Sequence, residues 1–275
     1  MRAWLPFAAM NASTETTPTN AQRDWLRPLR YLWRTPLLLL LALLTFPIAL
    51  AAFNPLARRT HVRGERFDHW LQRWWSGALV RVFGFRIRRV GESLPGAVMF
   101  VANHVSWLDI NLMHSQRIMA FVAKAEIARW PLIGWLASGA GTIFHSRGSS
   151  HSLAAVMQRM VARLGEGMAI GVFPEGGSGP GDHVKTFHAR IFQVAADANV
   201  PVQPVALVYG KNGKMDLRVP FGATESFGGN FLRLLGGPGL DAEVHFLEPI
   251  ALGDEGRRQV AETARTRISA ALGYA

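Results

Sequence analysis

Residues 97–109 read Ala-Val-Met-Phe-Val-Ala-Asn-His-Val-Ser-Trp-Leu-Asp. Six apolar residues run straight into an Asn-His pair, and an Asp follows five positions after the His. An apolar run of this length, cut off by polar residues, reads as a strand. Strand-like runs of the same kind stand at Phe85–Val90 and at 169–173, 202–209 and 243–247. Helical patterns separate them. Residues 152–164 put Leu153, Val156, Met157, Met160, Val161 and Leu164 on one face, 187–198 form another helix, and 254–272 read as a surface helix. This alternation predicts an α/β domain over residues 85–275, with a mixed, mostly parallel sheet flanked by helices.

In such a sheet the chemistry gathers in the loops that leave the carboxyl ends of the strands. Three loops carry candidates. In the first, His104 and Asp109 would diverge on a regular helix, but converge if His104 lies in the turn and Asp109 in the first helical turn. Asp109 would then accept the Nδ1–H of His104 and leave Nε2 as a general base. The second loop is Phe173-Pro174-Glu175-Gly176-Gly177-Ser178-Gly179. Its glycines let backbone N–H groups approach a ligand closely, and Glu175 is placed to bind a hydroxyl. The third, Gly141-Thr142-Ile143-Phe144-His145-Ser146-Arg147, ends in an arginine suited to a phosphate.

The chain of 275 residues has no cysteine, 49% hydrophobic residues and a formal net charge of +11. Absence of cysteine excludes a disulfide scaffold, a thiolate metal site and a cysteine nucleophile. The charge is lopsided: residues 1–95 hold 14 Arg against 5 acidic residues, and the remainder holds 12 Arg and 4 Lys against 14 acidic residues. Basic charge confined to one end predicts an anionic docking surface. Residues 36–53 are 18 in number without a charge, about 27 Å as a helix, with Pro47 expected to kink it. Arginines at 27, 30 and 34 precede this run, and others at 58, 59 and 63 follow it. Next, Phe67, Trp70, Leu71, Trp74, Trp75, Ala78, Leu79 and Val82 recur at helical spacing, as in an interfacial amphipathic helix. The chain is therefore divided into a flexible basic tail (1–35), a membrane-anchoring two-helix segment (36–84) and a catalytic domain (85–275).

Taken in order, these segments resemble the glycerophospholipid acyltransferase family, in particular the bacterial 1-acylglycerol-3-phosphate acyltransferases. Asn103, His104 and Asp109 match the first block (the HX4D motif). Ile143, Phe144 and Arg147 match the second, Phe173 to Gly176 the third, and Val200, Pro201, Pro204 and Val205 the fourth. The stretch around Lys124 and Glu126 resembles the segment between the first two blocks. The resemblance implies transfer of an acyl group from acyl-CoA or acyl carrier protein to the free hydroxyl of a lysophospholipid, with 1-acylglycerol-3-phosphate as the leading acceptor. Lyso-ornithine lipid is the alternative. His104 and Asp109 are the implied catalytic pair. Asn103, Lys124, Arg147, Glu175, Gly176 and Gly177 are the implied binding residues, Lys124 and the glycines as oxyanion donors. No metal or bound cofactor is implied. The implied place is a bacterial inner membrane, with the catalytic domain on the cytoplasmic side. Two departures bear on the acceptor: Gly177-Ser178-Gly179 stand where many members have Thr-Arg-Ser, and Ser146 stands where Asp commonly precedes the second-block arginine.

Rival readings have weaker support. A serine hydrolase needs Gly-x-Ser-x-Gly, and Gly176-Gly177-Ser178-Gly179-Pro180 lacks the final glycine. A nucleic-acid binder would line a soluble face with its arginines, whereas here they flank an apolar run. His183 and His188 stand five apart, with no metal-binding pattern around them.

Overall fold

The structure, a computed structural model, describes residues 24–131, 133–145, 150–222, 224–251 and 256–274. Arg147 and the side chain of Lys124 lie outside the described residues. Among the described residues the first helix is α1 (Arg27–Phe53), whose second residue is a proline, tolerated because N–H groups of the first turn have no helical partner. α1 continues through Pro36 and Pro47. It therefore begins inside the segment expected to be a tail. The reason is tertiary: the Tyr31 hydroxyl donates to the Leu232 carbonyl at 2.7 Å, and Arg34 Nη1 donates to the carbonyls of Leu235 and Gly237 at 2.8 and 2.9 Å. These bonds tie the first turns of the helix to the far half of the chain.

A short helix α2 (Pro55–Arg59) and a hairpin, β1 (His61–Val62) with β2 (Glu65–Arg66), lead into α3 (Phe67–Val82). β3 (Phe85–Val90), β4 (Met99–Ala102), α4 (Leu108–Gln116) and β5 (Ala120–Lys124) follow. After a 3-10 turn come α5 (Ile133–Gly139), β6 (Ile143–His145), α6 (Ser150–Gly165) and β7 (Ile170–Val172). The chain ends with α7 (Gln193–Ala198), β8 (Val202–Lys211), β9 (Lys214–Met215), α8 (Phe227–Leu235), β10 (Leu240–Phe246) and α9 (Arg257–Ala271).

The main sheet has the order β3-β10-β8-β4-β7-β5-β6, with β9 paired to β8. β10 runs antiparallel to β8, and the other neighbours along that path are parallel. This is the mixed, mostly parallel sheet expected. The period of two along β4 shows why its sequence is apolar throughout. Phe100 and Ala102 enter one core cluster with Leu108, Leu112 and Tyr209, while Met99 and Val101 enter a second with Met160, Ile170 and Phe192.

The apolar stripe of α3 divides between two neighbours. Leu71, Ser76, Gly77, Leu79 and Val80 are buried where α3 packs between α1 and α4, whereas Trp74 stays exposed. Trp75 Nε1 donates to Thr45 Oγ1 at 2.9 Å and fastens α3 to α1. On α1 the buried face is Arg34, Leu41, Thr45, Ala49 and Ala52, and the opposite face is leucine: Leu32 and Leu43 are 73% and 74% exposed. Among the described residues α1 is the one helix long and apolar enough to cross a membrane.

Candidate active site

The parallel register dictates what meets at the carboxyl end of β4. Val101 lies opposite Val172 of β7, so the loops after β4 and β7 emerge side by side. Ala102 lies opposite Val205 of β8, and β8 continues beyond the end of β4. Leu207 and Tyr209 therefore run alongside the loop that carries His104.

That loop turns so that Asp109 falls in the first turn of α4, where a carboxylate is favoured by the helix dipole. His104 Nδ1 lies 2.8 Å from Asp109 Oδ2, as the spacing suggested. The same oxygen accepts the backbone N–H groups of Val105 and Ser106 at 2.8 and 2.9 Å, and Oδ1 accepts the Tyr209 hydroxyl at 2.7 Å. Asp109 is fully buried. Burial, and then the negative charge of Asp109, push the Tyr209 hydroxyl well above its ordinary pKa, so it remains a donor. With Nδ1 engaged, Nε2 is the nitrogen His104 can offer to a substrate. The imidazole lies flat on Phe173, ring centres 4.3 Å apart and planes 20° from parallel, which fixes its plane from a second side.

The β7 loop closes around the same histidine. Glu175 is buried, and its Oε1 accepts the N–H of His104 at 2.8 Å while Oε2 accepts the N–H of Lys185 at 3.2 Å. Burial raises its pKa above the ordinary carboxylate value, and these two N–H bonds pull it back. Each oxygen of Glu175, the residue expected to bind a substrate hydroxyl, accepts a backbone N–H, and the side chain holds two loops together. Gly176 adopts φ +74°, the left-handed conformation in which glycine is least strained, and its N–H donates to the Phe173 carbonyl at 3.2 Å. Gly179 N donates to the His104 carbonyl at 2.5 Å, and a Cβ there would stand 3.0 Å from Glu175 Oε2. The glycines thus serve close backbone approach, here between two loops of the protein.

Asn103, expected among the binding residues, bonds to the neighbouring strand. It is buried, its Nδ2 donates to the Leu207 carbonyl at 3.0 Å, and its Oδ1 accepts the Leu207 N–H at 2.8 Å. The amide imitates one more residue of β4 and extends the ladder where the backbone turns away. Lys124 ends β5, beside His145 of β6. Lys185 donates Nζ to the Ser178 carbonyl at 2.7 Å and braces the glycine loop.

A second network joins this loop to α8. Trp107 Nε1 donates to Asn230 Oδ1 at 3.2 Å, and Asn230 Nδ2 donates to Glu225 Oε2 at 3.0 Å. Arg233 grips both oxygens of Glu225 through Nε at 2.7 Å and Nη2 at 2.6 Å. The guanidinium holds the Glu225 carboxyl down at about 2. A carboxylate whose folded pKa is depressed stabilises the fold above its unfolded value near 4.5 and loses that contribution as pH falls toward 2. Denaturant melts in detergent at pH 6 and pH 3 should therefore show Glu225→Gln destabilised relative to wild type at pH 6, with the gap narrowing at pH 3.

Comparison with known proteins gives the family and the fold. The acyltransferase family model matches residues 86–208. A lyso-ornithine lipid O-acyltransferase of Pseudomonas aeruginosa is 38% identical over 202 residues, covering 74% of this chain and 78% of that protein. A 1-acyl-sn-glycerol-3-phosphate acyltransferase of Neisseria gonorrhoeae is 36% identical over 145 residues, 52% of this chain and 57% of its own. The solved structure of the 1-acyl-sn-glycerophosphate acyltransferase PlsC of Thermotoga maritima superposes with a TM-score of 0.66 at 21% identity, over 88% of this chain and 95% of that one, a likeness of fold.

Proposed function

The chain belongs to the glycerophospholipid acyltransferase family and is an acyltransferase, and from that premise we propose that it moves a fatty acyl group from a thioester to the hydroxyl of a lysolipid, with lyso-ornithine lipid as the acceptor. The 2.8 Å contact between His104 Nδ1 and Asp109 carries the chemistry. His104 Nε2 takes the proton of the acceptor hydroxyl as its oxygen attacks the thioester carbonyl carbon. Asp109 holds the tautomer and stabilises the imidazolium, and Tyr209 holds Asp109. When the tetrahedral adduct collapses the C–S bond breaks, and the imidazolium returns its proton to the thiolate. The nucleophile is the substrate, so no acyl-enzyme forms. Of the three loop glycines, Gly176 has its N–H on Phe173 and Gly179 on His104, which leaves the Gly177 N–H, with Lys124, for the oxyanion.

Two observations favour the lyso-ornithine acceptor. A relative 38% identical over 74% of this chain bears that name, and the third-block loop carries no guanidinium for a phosphate. The four-block pattern and the Neisseria gonorrhoeae relative support 1-acylglycerol-3-phosphate as the second reading. The donor is acyl-CoA or acyl carrier protein. Membranes bearing the protein should acylate lyso-ornithine lipid with kcat/KM at least about tenfold above that for 1-acylglycerol-3-phosphate, the value of one good polar contact. The opposite order would transfer the assignment to the phosphate acceptor.

The leucine face of α1 and the surrounding arginines fit a lipid seat at the cytoplasmic face of a bacterial inner membrane. α1 is about 40 Å long. Its first turns bond to the Leu232–Gly237 region, and near its end Phe46 and Phe53 pack on Trp135 of α5. A helix held at both ends to one domain lies along that domain, in one leaflet.

A further inference from the structure

The exposed apolar face of α1 does not end with α1. α8 presents Leu232 at 55% exposure and the open side of Phe227 at 48%, beside Trp25, Leu26 and Leu29, all more than half exposed at or just before the start of α1. The two groups are stitched together by the Tyr31–Leu232 bond and by Arg30 Nη1, which donates to the Gly236 carbonyl at 3.0 Å. Contiguous apolar surface of this kind is costly in water and marks an interface. The exposed Arg27, whose Nε donates to the Tyr31 hydroxyl, stands at its margin, as cations do around a patch that meets anionic headgroups. We propose that α8 is a second lipid-contacting element, which seats the mouth of the His104 site on the bilayer surface.

The inner side of α8 gives this seat a consequence. Asn230 is fully buried and accepts Trp107 Nε1, while Phe231 stacks on the Trp107 ring at 5.8 Å and Phe227 tilts against it at 5.6 Å. Trp107 caps α4, the helix whose first turn carries Asp109. One face of α8 thus meets lipid and the other holds the loop that carries His104 and Asp109, so the acceptor hydroxyl is presented at a fixed height above the headgroups. This rests on the reading of α1 as membrane-bound, and the experiment separates the two.

The chain has no cysteine, so one introduced thiol carries one label. Leu232→Cys, Leu40→Cys and Lys211→Cys would each be labelled with an environment-sensitive nitrobenzoxadiazole dye and mixed with phosphatidylglycerol–phosphatidylethanolamine vesicles. Leu40 reports α1, and Lys211 is an exposed residue at the end of β8. The expected result is a blue shift and intensity gain at positions 40 and 232, quenched by headgroup-level nitroxide lipid at 232, with no change at 211. A shift at 40 alone overturns the role of α8 and leaves that of α1 intact. No shift at 40 or 232 removes both, and a shift at all three shows unselective adsorption, which also overturns the proposal.

Discussion

Asp109→Ala is expected to lower acyl transfer by about 10³–10⁴-fold, the scale on which a triad-type imidazole loses its orienting carboxylate, and to destabilise the protein at the same time. Both effects follow from burial. The carboxylate is fully buried and accepts four bonds, from His104 Nδ1, the N–H groups of Val105 and Ser106, and the Tyr209 hydroxyl. Alanine leaves three of those donors inside the core with no acceptor, at about 1–3 kcal/mol for each unsatisfied group, partly relieved by relaxation. A loss of about 3–5 kcal/mol in denaturant melts is the expected net effect. Asp109→Asn separates the two consequences. It keeps the shape and one acceptor oxygen, so most of the stability returns. With that oxygen in the place of Oδ2 the two N–H groups keep their acceptor, but the neutral amide cannot stabilise the imidazolium, so activity stays low. Equal activity of Asp109→Asn and wild type would remove Asp109 from the mechanism.

His104→Ala should show the opposite balance. The imidazole side chain is 18% exposed, and when it is gone Asp109 still has two N–H donors and Tyr209. The variant forgoes mainly the stacking on Phe173, about 0.5–1.5 kcal/mol. Melting and vesicle binding should therefore stay near wild type. Transfer should fall by about 10²–10⁴-fold, the contribution of a positioned general base. Stability kept and turnover abolished is the signature of a group that touches the reacting atoms, and wild-type turnover in this variant would refute its role.

The readable parts of this chain are those where one local feature suffices. Buried strands are apolar at nearly every position, so 97–102 and, but for Gln203, 202–209 announce themselves, and the His104–Asp109 spacing needs only a turn followed by a helix. What sequence alone leaves unread depends on register. Tyr209 meets Asp109 because β8 outruns β4, and Asn103 mimics a strand residue because Leu207 lies opposite. Neither partner is visible before the strand order is known, although a tyrosine among the apolar residues of β8, one of three in the chain, is an available signal. Glu175 illustrates a subtler limit: a carboxylate in a glycine loop has the same sequence whether it binds substrate or two backbone amides. The start of α1 escapes local reading because bonds to residues more than 200 positions away, and not local propensity, order Arg27–Arg34. α8, rich in glycine and phenylalanine, owes its place to Trp107 and α1.

Thiol release from an acyl thioester, followed with and without lyso-ornithine lipid, tests the central claim most directly, because it separates transfer to a lysolipid from hydrolysis or an acyl-enzyme. The account predicts thiol release only when acceptor is present, in one-to-one ratio with acylated lipid, and none above background in His104→Ala membranes. Thiol released without acceptor, label retained on the protein, or release undiminished in His104→Ala would contradict it.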